Sequence, residues 1–284
     1  MNARGYAKLV SRRKFLGAIG SGAVGIAAYM RWGESGWLQV GRHRVVVEPT
    51  SVPVSILHIS DLHASPVVSL GQISEAIEVG LNLKPNLICL TGDYITRKYD
   101  YFDELGQLLK RLSDAAPCFA CLGNHDGGRW SARHGYPDTS KVERMLSSAG
   151  ITLLRNCSAQ TTINQRHLRL VGVGDVWAED LDAEKAFRGV QKITGETIVL
   201  LSHNPDSKSR MQQYPWDLML SGHTHGGQLW IPFIGAPFAP VRDKRFVKGL
   251  VRWQNRWVHV TKGVGNLHGM RLNCPPEVSL LTLA

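Results

Sequence analysis

The sequence predicts one α/β domain in which polar side chains follow each strand. Short apolar runs rich in β-branched residues alternate with amphipathic segments along a chain of 284 residues, a pattern typical of α/β proteins. No internal repeat or low-complexity tract interrupts this alternation. The hydrophobic content of 43% is enough for a sizeable core, so the composition excludes a disordered or collagen-like chain.

Residues 1–30 are predicted to be a targeting segment that precedes the fold. Arg12 and Arg13 stand directly before Lys14 and an uncharged, mostly apolar stretch at residues 15–30. This arrangement resembles a twin-arginine export signal, which implies export by the twin-arginine translocase to the periplasm or to the outer side of the inner membrane. The stretch is short and glycine-rich for a span of about 20 apolar residues, and the sequence leaves open whether it is removed or retained as an anchor. A basic amphipathic or core helix is the alternative.

The positive charge of the chain says little about its partners. The formal net charge is +10, from 33 Lys and Arg against 23 Asp and Glu. Five basic residues and no acidic residue fall within residues 1–28, so 28 basic residues, 33 less these five, face 23 acidic residues in the rest of the chain. This moderate excess, without interleaved basic and aromatic residues, argues against nucleic acid as a partner.

The elements of the domain follow in order from residue 31. Residues 31–50 are predicted to be a linker with a lead-in strand around residues 45–48, and residues 51–284 to form the α/β domain. Apolar runs predict five strands, at residues 54–60, 86–90, 118–122, 197–201 and 217–220. Helical spacing of apolar residues predicts three helices, at residues 69–83, 139–149 and 181–190.

Polar side chains follow each of the five predicted strands. Ligands of open α/β sheets bind beyond the carboxyl ends of the strands, so these clusters are expected to converge on one edge. The glycines among them are expected to serve sharp turns that aim the ligands, or simply to punctuate loops. In chain order the clusters are Asp61-x-His63, Gly92-Asp93, Gly123-Asn124-His125-Asp126, His203 and Gly222-His223-x-His225.

The donor atoms of these clusters suit a pair of metal ions. Two carboxylates, four imidazoles and one amide oxygen are too many for a single tetrahedral ion, and one carboxylate can bridge two ions. No thiolate is among them, which argues against a closed structural zinc site. Mn, Zn, Fe or Mg as divalent cations fit this set, and the sequence does not choose among them. The candidate ligands are Asp61, His63, Asp93, Asn124, His203, His223 and His225.

The ordered series of motifs from Asp61 to His225 resembles the calcineurin-like metallophosphoesterase superfamily. Each short motif alone is a weak signal, whereas Gly-Asn-His-Asp and Gly-His-Thr-His in this order are specific. The apolar residues 229–241 and the segment 273–278 resemble the bacterial branch of exported phosphodiesterases. The resemblance implies a β-sandwich flanked by helices on both sides, that is, a four-layer α/β/β/α sandwich of the metallophosphoesterase type.

The same resemblance implies how the metal ligands are shared between the two ions. Asp93 would bridge them. The ligands implied for the first ion are Asp61, His63 and His225. The ligands implied for the second ion are Asn124, His203 and His223.

Two residues of the third cluster are implied to be catalytic. His125 would stay unligated and protonate the departing alkoxide, with Asp126 to orient it. A hydroxide bridging the two divalent metals would attack phosphorus in line with the leaving group. The expected activity is therefore metal-dependent hydrolysis of a phosphodiester without a covalent enzyme intermediate.

Two other functions stay open. A pyrophosphatase of the UDP-2,3-diacylglucosamine type, acting on an acylated nucleotide-sugar in lipid A metabolism, is a close variant of the same chemistry. A non-catalytic, metal-stabilised binding module of the envelope belongs to another class, and the intact His125 and Asp126 argue against it. Small molecules or lipids with a phosphodiester or pyrophosphate bond are the expected substrates.

Three further features have more than one interpretation. The apolar, proline-rich residues 230–240 are expected either to touch acyl chains or membrane or to pack over the edge of a sheet. His58 alternates into the first strand and is expected to be buried, and His268 could border the site. The five cysteines match no disulfide framework, and Cys118 and Cys121, which lie inside a predicted strand, are expected to be thiols of the core.

Overall fold

A computed structural model describes residues 11–47 and 52–284 of the chain. Residues 1–10, at the start of the predicted targeting segment, and residues 48–51, at the end of the predicted lead-in strand, lie outside the described residues. The helices of the described ranges are α1 (Arg12–Ala28), α2 (Leu70–Asn82), α3 (Phe102–Ala115), α4 (Ser140–Ser148) and α5 (Ala183–Ala186).

The strands of the described ranges form two six-stranded sheets. The strands are β1 (Gln39–Val45), β2 (Val54–Ile59), β3 (Leu87–Thr91), β4 (Cys118–Cys121), β5 (Thr152–Leu153), β6 (Cys157–Ile163), β7 (Arg166–Gly172), β8 (Glu196–Leu201), β9 (Leu218–Ser221), β10 (Gly249–Trp253), β11 (Arg256–Val260) and β12 (Glu277–Leu283). The first sheet has the order β1-β12-β2-β3-β4-β5 and the second the order β10-β11-β9-β8-β7-β6. Strands β2 to β5 run parallel, as do β7, β8, β9 and β11.

The two sheets pack face to face around an apolar core. Ile56 and Leu87 of the first sheet and Val199 and Leu220 of the second are fully buried in this layer. Burying each such side chain contributes about 1.5–3 kcal/mol to folding. The predicted sandwich of two sheets is confirmed.

Helices α2, α3 and α4 cover the outer face of the first sheet. Helix α2 begins after Ser69, whose hydroxyl accepts a hydrogen bond from the backbone of Gln72 while the Gln72 side chain bonds back. This capping box fixes the start of the helix. Ile73 and Ile77, four residues apart on one helix face, are buried against the sheet. Helices α2 and α4 lie where they were predicted.

Helix α3 was not predicted from the sequence. Its buried residues Leu105, Leu109 and Leu112 have the same spacing of three and four as those of α2, so the signal was present. The helix packs between α2 and α4 and completes the layer.

The outer face of the second sheet is covered by short segments. The helix predicted at residues 181–190 is reduced to the single turn α5. Two short 3₁₀ turns, Pro205–Ser209 and Lys244–Phe246, lie in the same layer, where Phe187 and Phe246 pack onto the sheet. The four-layer order of the sandwich holds, with a thin fourth layer.

The segment predicted to be a linker packs against the domain. Glu34 and Ser35 are buried, and the Ser35 hydroxyl donates to the carbonyl of Gly269 at 2.7 Å. Strand β1 pairs in parallel with β12 and begins at Gln39, so the lead-in strand lies earlier in the chain than the predicted residues 45–48 and shares only Val45 with them. β1 is an edge strand in which alternate residues are exposed. Because several of its residues are polar, it lacks the apolar run by which a strand is recognised in a sequence. Helix α1 and the other described helices are too short or too polar to cross a membrane.

Candidate metal centre

The polar clusters predicted after five strands meet at one edge of the sandwich. Asp61 and Asp93 follow β2 and β3 of the first sheet, and His203 and His223 follow β8 and β9 of the second. Both sheets therefore present the carboxyl ends of parallel strands to the same place. The candidate ligands are all buried: Asp61, His63, Asp93, Asn124, His203, His223 and His225.

Asp61, His63 and His225 form the first group of donor atoms. Asp61 Oδ1 lies 3.5 Å from His225 Nε2 and 3.9 Å from His63 Nε2. The two imidazole nitrogens are 3.2 Å apart. Donor atoms this close together can surround one cation after small side-chain shifts.

Asp93, His203 and His223 form the second group. His203 Nε2 lies 3.1 Å from Asp93 Oδ2 and 3.3 Å from His223 Nδ1. The same oxygen of Asp93 is 3.5 Å from Nε2 of His63 in the first group. One carboxylate thus lies between the two groups, where a ligand shared by two ions would have to be.

Asn124 supplies a separate indication that cations fit here. Its side-chain oxygen is buried and has no hydrogen-bond partner among the described residues. Leaving a buried acceptor unpaired costs about 1–3 kcal/mol, and a cation beside it would remove that cost. Two donor groups with the Asp93 carboxylate between them, together with this oxygen, fit two divalent cations.

The imidazoles are oriented by the groups behind them. Nδ1 of His203 donates to the carbonyl of Thr91 at 2.7 Å, and Nδ1 of His225 donates to the carbonyl of Gly265 at 3.2 Å. A carbonyl can only accept, so Nδ1 of each ring uses its proton in this bond, and Nε2 is the nitrogen left for a cation. Both rings are therefore oriented for a cation before it binds.

Burial keeps most of these imidazoles neutral, which is the form that binds metal. It lowers the pKa of His63 and His223 well below the usual value and that of His225 to about 4. Burial alone would also lower the pKa of His203, but attraction to the Asp93 carboxylate outweighs it and raises this pKa well above normal. The proton on His203 thus balances the negative charge of the Asp93 carboxylate, a charge that a bound cation would otherwise balance.

The backbone of the ligands adopts a rare conformation. Asp61, His63, Asp93, His223 and His225 all have positive φ, from 49° to 70°, which few residues with a Cβ adopt. Such conformations cost about 1–3 kcal/mol each and cluster at functional sites. These backbone conformations therefore lower the stability of the fold, and they direct the five side chains toward one point.

Two glycines make room for the carboxylates. A Cβ on Gly222 would lie 2.0 Å from Asp61 Oδ2, and a Cβ on Gly123 would lie 2.2 Å from Asp93 Oδ1. Neither glycine has positive φ. The expectation that they serve sharp turns was therefore wrong, because what these positions require is space.

His125 lies beside the ligands as predicted, but Asp126 does not orient it. Nδ1 of His125 donates to the carbonyl of Thr96 at 2.7 Å. The Asp126 carboxylate instead accepts hydrogen bonds from the backbone N–H groups of Asp93 and Gly123, at 2.9 and 2.7 Å. Asp126 is satisfied by these backbone donors and holds the loops that carry the ligands, while Thr96 takes the orienting role expected of Asp126.

A cavity of about 360 Å³ opens onto the centre. Two tryptophans form part of its wall. The ring of Trp130 lies 4.5 Å from that of His125, and the ring of Trp177 lies 4.3 Å from that of His223. The two indole rings are 5.9 Å apart. Other lining residues in the described chain are Leu229, Phe238, Pro240, Leu267 and, as expected from the sequence, His268.

Several residues that shape the site were not predicted. Thr96 acts through a backbone carbonyl, which leaves no mark in the sequence. Trp130 and Trp177 could have been found, because each lies in a loop that follows a strand ending at the same edge. The fully buried Arg271 donates from Nη2 to the carbonyl of Gly265 at 2.8 Å and so stabilises the loop that holds His225; nothing in its sequence context indicates this.

A comparison with known protein families agrees with this geometry. The family model for calcineurin-like phosphoesterases matches residues 54–227, the span that contains all seven candidate ligands. The chain belongs to the calcineurin-like phosphoesterase family. The resemblance inferred from the motifs is thereby confirmed.

Three relatives match over most of their length. The chain is 42% identical over 279 residues to phosphodiesterase YaeI of Escherichia coli strain K12, which covers 97% of this chain and 100% of that protein. It is 27% identical to the uncharacterized metallophosphoesterase YkuE of Bacillus subtilis strain 168, covering 97% and 98% of the two chains. It is 29% identical to the UDP-2,3-diacylglucosamine pyrophosphatase LpxG of Chlamydia trachomatis serovar D, covering 80% and 82%.

Proposed function

We propose that this phosphoesterase hydrolyses a phosphodiester bond with two divalent cations held at the metal centre. The observation that carries the proposal is the cavity, which opens onto two donor groups with Asp93 between them and has no Lys or Arg among its described lining residues. The likeness to a phosphodiesterase over nearly the whole chain supports it.

The charge of the cavity wall favours a diester over other phosphate esters. A diester carries one negative charge, whereas a monoester carries about −1.5 to −2 at pH 7 and a pyrophosphate carries a second phosphate. Proteins usually bind such additional charge with Arg or Lys. None lines the described part of the cavity, so a diester is the phosphate ester that this wall fits best.

Two of the basic residues that follow the apolar segment are already engaged elsewhere. Lys244 Nζ donates to the carbonyl of Ala239 at 2.6 Å. Lys248 Nζ lies 3.7 Å from the centre of the Trp230 ring, a cation–π contact. These contacts hold their own segment together, so neither lysine is evidently available for the second phosphate that the pyrophosphatase alternative would have to bind.

His125 is placed to act on the leaving oxygen. Because its Nδ1 is committed to the carbonyl of Thr96, Nε2 is the nitrogen left for the substrate. In its protonated form Nε2 can donate that proton to the departing alkoxide or a hydrogen bond to a phosphate oxygen. Trp130 packs against the ring and limits its rotation. Divalent cations at the centre would activate water and neutralise phosphate oxygens.

Side-by-side turnover of three substrates tests the proposal. We expect metal-reconstituted protein to hydrolyse bis(p-nitrophenyl) phosphate, a diester, at least about tenfold faster than p-nitrophenyl phosphate, a monoester, or UDP-2,3-diacylglucosamine. EDTA should abolish turnover, and Mn, Zn, Fe or Mg should restore it with two ions bound at the metal centre. Faster hydrolysis of the nucleotide-lipid would favour the pyrophosphatase, and full metal occupancy without any turnover would favour a binding module.

We also propose that the rim of the cavity touches a membrane surface. Phe233, Ile234 and Phe238 are strongly exposed, and Phe238 also lines the cavity. Ala236 and Ala239 of the same segment are packed into the core, so the segment is anchored while it presents large apolar side chains to solvent. A patch of this kind is typical of surfaces that bind lipid.

Co-sedimentation with vesicles tests this membrane contact. Changing Phe233 and Ile234 together to Ser should lower the fraction bound to vesicles of phosphatidylethanolamine and phosphatidylglycerol. Turnover of the soluble diester should stay unchanged, since neither residue lines the cavity. Equal sedimentation of variant and wild type would contradict the proposal.

We propose, finally, that the chain is exported by the twin-arginine translocase. Arg12 and Arg13 precede an apolar stretch that is helical in α1, which supports this assignment. Replacing both by Lys should retain the protein in the cytoplasm of a bacterial host, whereas Arg4→Lys should leave export unchanged. Identical fractionation of the pair variant and the wild type would contradict the proposal.

A further inference from the structure

A second cluster of metal-ligand side chains lies outside the hydrolytic centre. His43 on β1, Glu277 on β12 and His259 on β11 each offer a donor atom, and these atoms lie within 4.8 Å of one another. His259 and Glu277 are buried and His43 is half-buried. Strands β1 and β12 belong to the first sheet and β11 to the second, so the cluster connects the two sheets.

One ring nitrogen of His259 has no partner. Its Nδ1 lies 2.9 Å from Nδ1 of His58, whose Nε2 is in turn 2.8 Å from the hydroxyl of Thr91. Nε2 of the fully buried His259 has no hydrogen-bond partner among the described residues. An unpaired buried polar atom costs about 1–3 kcal/mol, so a ligand that satisfied it would stabilise the fold.

Gly41 keeps a space open beside the cluster. A Cβ at this position would lie 2.9 Å from Glu277 Oε1 and 3.4 Å from Nε2 of His43. Gly41 does not have positive φ, so its backbone conformation does not require glycine. A larger residue would fill the gap between the carboxylate and imidazole donors.

The charges around the cluster are compatible with one cation. Glu277 Oε2 is paired with Lys262 Nζ at 3.0 Å, and Oε1 accepts a hydrogen bond from the Ser279 hydroxyl at 2.6 Å. Oε1 retains a second lone pair for a ligand bond. Burial lowers the pKa of both His43 and His259, so their imidazoles are neutral at pH 7, as metal binding requires.

We propose that His43, His259 and Glu277 form a further metal site, which binds a divalent cation of the zinc type. Two imidazoles and one carboxylate are a donor set of zinc, with water in the fourth position, here on the half-exposed side of His43. The ion would link the edge strand β1 to β12 of its own sheet and to β11 of the second sheet. The role is structural and does not depend on the proposed hydrolysis.

Counting bound metal in single variants tests this site. After removal of all metal and dialysis against Zn²⁺, elemental analysis should find one zinc ion fewer per chain in His43→Ala than in the wild type. Glu277→Gln should show the same loss. His134→Ala, which removes an exposed histidine outside the cluster, should bind as many zinc ions per chain as the wild type.

Two further measurements separate this site from the hydrolytic centre. Zinc should raise the melting temperature of His43→Ala less than that of the wild type, while the two should melt alike in EDTA. Crystals grown with zinc should show an anomalous peak bounded by His43, His259 and Glu277. Equal zinc counts in His43→Ala and wild type, or no peak there, would overturn the proposal, and because these readouts need no turnover they stand whether or not the diester is hydrolysed.

Discussion

The carboxylate of Glu34 accepts a hydrogen bond of 2.8 Å from the backbone N–H of Asn273, 239 residues later in the chain. Its other oxygen accepts from the backbone N–H of Cys274, and the side chain is buried with 1% of its surface exposed. The loop that donates these hydrogen bonds also contributes Leu267 to the cavity wall. Glu34, which lies just after the predicted export signal, therefore stabilises a loop that forms part of the cavity wall.

Replacing Glu34 by Ala should weaken both the fold and substrate binding. The change leaves two backbone N–H groups without their acceptor, so the free energy of unfolding should fall by about 1–3 kcal/mol. The KM for a diester should rise, because the loop before Asn273 would no longer be held. Urea unfolding and steady-state kinetics measure the two effects.

Glu75→Ala is the matched control for this prediction. Glu75 is exposed on α2, so its removal should change the free energy of unfolding by no more than about 0.5 kcal/mol. If Glu34→Ala and Glu75→Ala behaved alike in both measurements, the contact between the N-terminal segment and the loop would have no energetic weight.

The metal centre was predictable because its ligands are of rare types in short motifs. Asp61, His63 and Asp93 each come directly after a strand, and parallel strands bring their carboxyl ends together. The short motifs and the succession of strands along the chain can both be recognised in the sequence without knowledge of the rest of the fold. This is why the sequence was sufficient to name all seven candidate ligands that the structure brings together.

Features that depend on contacts distant in sequence were not predictable in this way. Strand β1 has one open face and lacks an apolar run, so it was placed too late. Asp126 was expected to orient His125 because the two are adjacent, yet its carboxylate accepts from the backbone N–H of Asp93 on another loop and of Gly123 in its own loop. Adjacency in sequence does not say which side chain turns toward which partner.

Replacing His125 by Ala should lower turnover without loss of metal. A general acid contributes about 10²–10⁴-fold, so kcat for the diester should fall by that factor. Asp126→Asn should act differently, because weakening its bonds to the backbone of Asp93 and Gly123 would loosen the ligand loops and lower metal occupancy. Kinetics and elemental analysis of both variants distinguish the two effects.

Metal content decides how the result for His125 is interpreted. One of its ring nitrogens lies within 4.8 Å of donor atoms of His63 and Asp93, so a ligand role is the competing explanation. Loss of an ion in His125→Ala would assign that role, and unchanged turnover with both ions present would exclude it as the acid.

Replacing Trp177 by Ala should change substrate selection more than catalysis. Its ring lines the cavity and packs against His223, where it can stack on an aromatic substituent of a diester. Such stacking contributes about 1–3 kcal/mol, so the KM for bis(p-nitrophenyl) phosphate should rise about tenfold, while that for methyl p-nitrophenyl phosphate should rise less. Trp37→Ala is the control, because Trp37 is exposed and does not line the cavity. It should leave both KM values unchanged. An equal rise in KM for both substrates in Trp177→Ala would argue against stacking.

Acidification should destabilise the fold partly through His58. Burial, with a smaller contribution from His43, lowers the pKa of His58 to about 3, whereas an unfolded chain would bind the proton near pH 6.5. Since the unfolded state then binds more protons, this contribution to stability is complete above pH 6.5 and is lost progressively as the pH falls toward 3, by up to about 1.4 kcal/mol per pH unit. Between pH 7 and pH 5.5 the free energy of unfolding of the wild type should fall by about 1 kcal/mol more than that of His58→Gln. Buried histidines that do not contact His58 affect both proteins alike, so the difference between the two pH slopes in urea unfolding reports on His58 and on His259, whose Nδ1 lies 2.9 Å from it. His167→Gln, at an exposed histidine of β7, should keep the wild-type slope. Equal slopes for His58→Gln and wild type would mean that His58 keeps an ordinary pKa inside the fold.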